Sequence, residues 1–201
     1  MANFPKLSYS SIALIVGNLA PIIGVLFFEW QLFPLILLYW IENVVIGVFN
    51  AFKMLTCSGS ESVIQRIFMT LFFSVHYGMF CFGHGTFVVD LFGGDLDSMP
   101  AALQVITQNG LQLALIALVV SHGFSFLQNF LIRGEFRQMS VSEVMFSPYK
   151  RIIVLHVFII FGGMALQTFG VTQIGLIFLA VVKIGADLMA HKIEHKKSDV
   201  M

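Results

Sequence analysis

Long apolar runs alternate with short polar stretches along this chain. Six runs are long enough to predict membrane-crossing helices, at about 9–28, 33–54, 67–92, 110–132, 152–166 and 173–190. A helix needs about 20 mostly apolar residues to cross the hydrocarbon of a bilayer. No water reaches the backbone there, so each segment must bond to itself as a helix. Short connections between such helices predict antiparallel neighbours in a bundle. The expected fold is an all-α membrane protein, a six-transmembrane helical bundle forming a single polytopic domain over 1–201.

The polar stretches carry a sidedness. Alternate connections hold Lys6, then Lys53 and Arg66, then Arg133, Arg137, Lys150 and Arg151, then Lys192, Lys196 and Lys197. The opposite ones hold Glu29, then Asp90, Asp95 and Asp97, then an uncharged turn near Thr168. Ten of the 11 Lys and Arg therefore share one side, the exception being Lys183 within a run. The positive-inside rule places that side, and both termini, in the cytoplasm. The first run follows Lys6 and lacks a small-x-small cleavage pattern, so it reads as a retained span. Two connections predict local structure. Ser98 before Pro100 reads as an N-cap with Pro near a helix start. Ser140 and Glu143 have the spacing of a capping box, ahead of one or two interfacial helical turns that stop at Pro148.

Composition supports the class. Hydrophobic residues make up 58% of the chain and charged residues 11%, against roughly 25% charged in soluble domains. The formal net charge is zero, which leaves no basic field for nucleic acid. Membrane lipids are the expected surroundings and partners, and oligomeric state is not legible. Cys57 falls in a connection and Cys81 inside a run, so both read as thiols at different depths rather than as a disulfide.

Candidate chemistry comes from polar residues inside the runs, where an ionisable group costs roughly 2.5–3.5 kcal/mol on insertion scales. The stretch HYGMFCFGHG, residues 76–85, puts two histidines into the third run. Counted from the ends of the runs, Glu42, His76, His122 and Lys183 lie near mid-membrane. His156 and Asp187 lie about one turn closer to the cytoplasm, and His191 one turn further. His84 lies toward the outer face, as the mouth of a cavity with His76 at its floor. Lys183, Asp187 and His191 recur every four residues and form one stripe. Asp187 and His191 can turn toward one metal ion, with imidazoles added by His76, His122 and His156. Zinc accepts such a set and leaves a position for an activated water. Glu42 would then be general base and Lys183 would polarise a substrate carbonyl, giving hydrolysis of a lipid amide or ester. Tyr39 and Asn43 accompany Glu42 on its helix. Simpler roles stand beside these. Glu42 can pair with Lys183, His191 can reach the headgroups, and Asn43 and Asn50 can bond neighbouring helices.

The segments Tyr39-Trp40-Ile41-Glu42-Asn43 with Gly47 and Asn50, His76-Tyr77-Gly78, and Asp187-Leu188-Met189-Ala190-His191 carry a resemblance. The chain resembles a domain-of-unknown-function family of small bacterial multi-pass membrane proteins. That likeness implies a helical protein of the bacterial inner membrane and no particular chemistry. Four functions are open on these residues: a zinc-dependent intramembrane hydrolase; a proton- or ion-coupled transporter using the same groups as a relay; a haem protein with His122 and His76 or His156 as axial ligands; and a structural subunit.

Overall fold

The computed structural model describes residues 32–59, 61–96 and 98–169. Every regular element among them is helical. The elements are α1 (Leu32–Thr56), α2 (Val63–Phe92), α3 (Met99–Gln108), α4 (Gln112–Ser125), a π-helical segment (Phe126–Ile132), a 3₁₀ turn (Glu135–Arg137), α5 (Val141–Phe146) and α6 (Tyr149–Phe169). Four stretches are long and apolar enough to cross a membrane: Phe33–Thr56, Val63–Phe92, Gln112–Ile132 and Val141–Met164. They correspond to the second through fifth apolar runs. The first and sixth runs lie outside the described residues, and with them Lys183, Asp187 and His191.

Local chemistry sets the helix ends. Ser62 and Gln65 form a reciprocal capping box, with Gln65 N–H donating to Ser62 Oγ at 3.3 Å and Ser62 N–H to Gln65 Oε1 at 3.0 Å. α2 therefore starts four residues before the apolar run at Ile67, and its 30 residues span about 45 Å. Ser98 caps α3 by accepting from Ala101 N–H. That helix ends at Gly110, whose φ of 69° suits glycine. The Ser140–Glu143 box forms as expected and starts α5. α6 begins directly after Pro148 and takes Lys150 and Arg151 into the helix, three residues ahead of the expected start. The fourth run changes pitch at Phe126, where the chain widens into a π-helix up to Ile132.

Phe33–His156 forms one compact unit, and Val157–Phe169 belongs to a second. Within the first unit, α1 and α2 pack antiparallel. Trp40 Nε1–H donates to Cys81 O at 2.7 Å and Tyr77 O–H to Asn43 O at 3.2 Å. The aromatic rings sit against glycines of the opposite helix: a Cβ on Gly47 would meet Tyr77 Cε1 at 2.5 Å, and one on Gly85 would meet the Trp40 ring at 2.7 Å. The π segment runs parallel to α1, with Phe126 against Phe49 and Phe52 and Lys53 over the Phe130 ring. The start of α6 runs parallel to α2 and antiparallel to α1. Phe73, Tyr77, Phe130, Val141, Val144 and Ile152 join Met54 and Cys57 in the main core.

These directions bring the C-terminal ends of α1 and the π segment to the same pole as the N-terminal ends of α2 and α6. Ser58 N–H donates to Phe136 O there at 2.9 Å. Lys53, Arg66, Arg133, Arg137, Lys150 and Arg151 gather at that pole. Asp90 and Asp95 lie at the other. The sidedness read from the sequence is thus reproduced by the packing of this unit.

Candidate functional site

α6 supplies the polar contacts that tie the unit together. The first of them precedes the helix, where Ser147 O–H donates to Asn50 Oδ1 at 3.2 Å. Two residues on, the Tyr149 hydroxyl hydrogen-bonds His76 Nδ1 at 2.8 Å. Arg151 Nη1 pairs with Glu42 Oε1 at 2.9 Å. Furthest in, His156 Nδ1 lies 2.9 Å from His84 Nε2. The result is a polar seam between α1, α2 and α6 along some 15 Å of helix.

The register of the seam follows from helix geometry. His76 and His84 are eight residues apart, so they leave α2 about 12 Å apart along its axis. Tyr149 and His156 are seven apart on a parallel neighbour, and side chains spaced this way meet rung by rung. His76 and His84 therefore take separate partners, as their spacing predicts.

The His84–His156 pair has a definite hydrogen-bond logic. Phe80 O, 2.6 Å from His84 Nδ1, can only accept, so that nitrogen carries a proton. A neutral His84 then accepts at Nε2, and His156 Nδ1–H donates. His156 Nε2 is left as a lone pair. His84 is 4% exposed, whereas His156 is exposed. Both line a cavity of about 280 Å³ with Met79, Phe80, Gly83 and Phe87.

Several sequence expectations acquire different partners here. Glu42 pairs with Arg151, so its charge is met within the described residues. His156 joins His84 rather than His76, although the depth count put them at different levels. The reason is the early start of α6: Tyr149 is already level with His76, so His156, seven residues or about 10 Å further along a parallel helix, reaches His84. His122 bonds through Nδ1 to Leu118 O of its own helix at 3.0 Å. Among the described residues no three His, Cys, Asp or Glu side chains converge as metal ligands. Of the expected set, Asp187, His191 and Lys183 are outside those residues. The 2.9 Å between the two imidazole nitrogens is a hydrogen-bond length. Two imidazoles on one tetrahedral zinc, each at about 2.0–2.1 Å, sit about 3.3 Å apart.

Asn43 Nδ2–H donates to the Tyr39 carbonyl of its own helix at 2.8 Å. Asn43 Oδ1 and Asn50 Nδ2 are buried without a partner among the described residues, a state that is costly for an amide left so. Tyr149, Arg151 and Ser147 were not expected as site residues. Arg151 reads as a connection cation, and only the early start of α6 turns it inward. The one available signal was the seven-residue spacing of Tyr149 and His156, close to that of the two histidines of α2.

A family model described as a family of unknown function (DUF6498) matches residues 2–201. No curated protein and no solved structure matches the chain.

Proposed function

The chain belongs to the family of unknown function DUF6498, and we propose that it is a proton-coupled transporter of the bacterial cytoplasmic membrane. In this reading six spans cross the bilayer and both termini are cytoplasmic. The observation that carries it is the His84–His156 hydrogen bond inside an apolar helix pair. A proton taken up at His156 Nε2 sends the His156 Nδ1 proton to His84 Nε2, and His84 then releases its Nδ1 proton once that N–H turns from Phe80 O to another acceptor. Glu42–Arg151 and His76–Tyr149 lie in the same seam nearer the cationic pole, where Glu42 and His76 rather than Arg151 would carry the proton. Asn43 and Asn50 offer that seam an unused acceptor and an unused donor. Ionisable groups at membrane depth commonly mark such pathways.

Reconstituted vesicles with an internal pH dye test the reading. Wild-type protein should dissipate an imposed pH gradient. His84→Gln and Glu42→Gln should slow it by roughly two orders of magnitude while remaining folded. Equal rates in the variants and the wild type would overturn the relay. The zinc-hydrolase reading has a separate test, the metal content of protein purified without chelator. The contacts of His76, His122 and His156 favour the relay over it. Stoichiometric zinc lost on Asp187→Ala would reverse that preference, and a haem Soret band would bring the haem reading forward.

A further inference from the structure

Glycines inside membrane helices usually have a neighbour that needs the space, as Tyr77 needs Gly47 and Trp40 needs Gly85. Gly83 has no such neighbour, because a Cβ built there meets nothing within 4 Å. A glycine in a helix interior is disfavoured relative to alanine, so packing within the described protein does not account for it. What lies over Gly83 is the cavity of about 280 Å³ lined also by Phe80, Phe87, His84 and His156. Its size is near the lower end of small-molecule sites, about 300–1,000 Å³.

The walls select a shape and a polarity. Phe80 and Phe87 are seven residues apart and share the face of α2 that Gly83 leaves flat, a slot suited to a planar ring. Phe80, Phe87 and Met79 are all exposed on the outside of the unit, so a ligand enters from the hydrocarbon and must be membrane-soluble. The polar element is the imidazole pair. His84 is fixed by Phe80 O, which makes His156 Nδ1–H the donor to it and leaves His156 Nε2 as an acceptor. No hydrogen bond reaches that nitrogen among the described residues. Its complement is a ligand O–H.

We propose that the Gly83 cavity binds a membrane-soluble phenolic ring, of the quinol type, with its hydroxyl donating to His156. This site shares His84 and His156 with the relay reading but needs no proton flux. Binding is therefore measured without a gradient, and failure of either reading can be told from failure of the other.

The test is quenching of tryptophan fluorescence in lipid nanodiscs, titrated with a decyl-substituted benzoquinol and with its dimethyl ether. Full-length wild type should bind the quinol saturably and its ether at least tenfold more weakly. The Cβ of Gly83→Leu meets nothing within 4 Å and the rest of the side chain extends into the cavity, so the variant should lose quinol affinity by tenfold or more, with its melting temperature and that of Gly83→Ala reporting that the fold is kept. His156→Phe should erase the preference for quinol over ether. Equal affinity in wild type and Gly83→Leu, or no saturable binding, overturns the site. Equal affinity for quinol and ether overturns the role of His156. An unrelated lipophilic phenol binding as tightly as the quinol supports the ring-and-hydroxyl chemistry and widens its source.

Discussion

A charged side chain inside a membrane helix needs a partner, and Glu42 and Arg151 supply each other. Arg151 keeps 40% of its side chain exposed and Glu42 20%, so the pair is partly solvated and its coupling is modest. Polar contacts between membrane helices average about 0.6 kcal/mol and reach about 1.7. Glu42→Gln and Arg151→Met should each destabilise by about 1 kcal/mol, and the double variant by less than the sum. Unfolding titrations of the four proteins would show this, and strict additivity would mean the pair is not coupled. Glycines make a sharper contrast at the same scale. Gly47→Ala drives a methyl into the Tyr77 ring and should cost about 1–3 kcal/mol, as overpacking does. Gly78→Ala meets nothing within 4 Å and should be neutral or stabilising by up to about 1 kcal/mol. Melting temperatures that move the same way in both variants would refute the Gly47–Tyr77 packing.

At the scale of elements, short polar codes decide where apolar runs become helices. The capping boxes at Ser62 and Ser140 were both written in the sequence, but only the second was used to place an element. The first lies four residues ahead of the apolar run at Ile67, so hydrophobicity alone places the helix start too late. The π-helical turn after Ser125 was not legible, since its widened pitch depends on packing of Phe126 and Phe130 against α1. Ser140→Ala should remove about 1 kcal/mol from α5, seen as faster hydrogen exchange over 141–146 with little change in α1. Between α1 and α2, Cys57 is fully buried. Burial, as the largest influence, pushes its thiol above the ordinary range, with Arg66 and Lys53 opposing. A raised value means less thiolate at any pH near neutral, and thiolate is the nucleophile. Alkylation of Cys57 by a soluble maleimide should therefore be slow in folded protein and fast after denaturation. Rapid labelling of folded protein would show that the packing over Cys57 opens.

For the whole molecule, the strongest expectation is sidedness. Six cations of the described residues share a pole while Asp90 and Asp95 occupy the other, as the helix directions require. If the cationic pole is cytoplasmic, Ser58→Cys should be shielded from an impermeant maleimide in intact cells and Asp95→Cys labelled, in a background with Cys57 and Cys81 replaced. The opposite pattern would invert the orientation. The same packing separates what the depth count had grouped. Levels along a helix axis are additive and can be counted, but which face meets which neighbour is not.

The sequence by itself determined that the described residues are helical, apolar enough to cross a membrane in four stretches, and that their cations gather at one pole. These properties are local: a run of apolar residues and a capping serine act on their own helix and on water. The partners of the buried polar groups were decided only by tertiary structure. Glu42 found Arg151, His76 found Tyr149, and His84 found His156, because α6 starts level with His76 and runs parallel to α2. A shift of one turn there, about 5.4 Å, would exchange every partner in the seam.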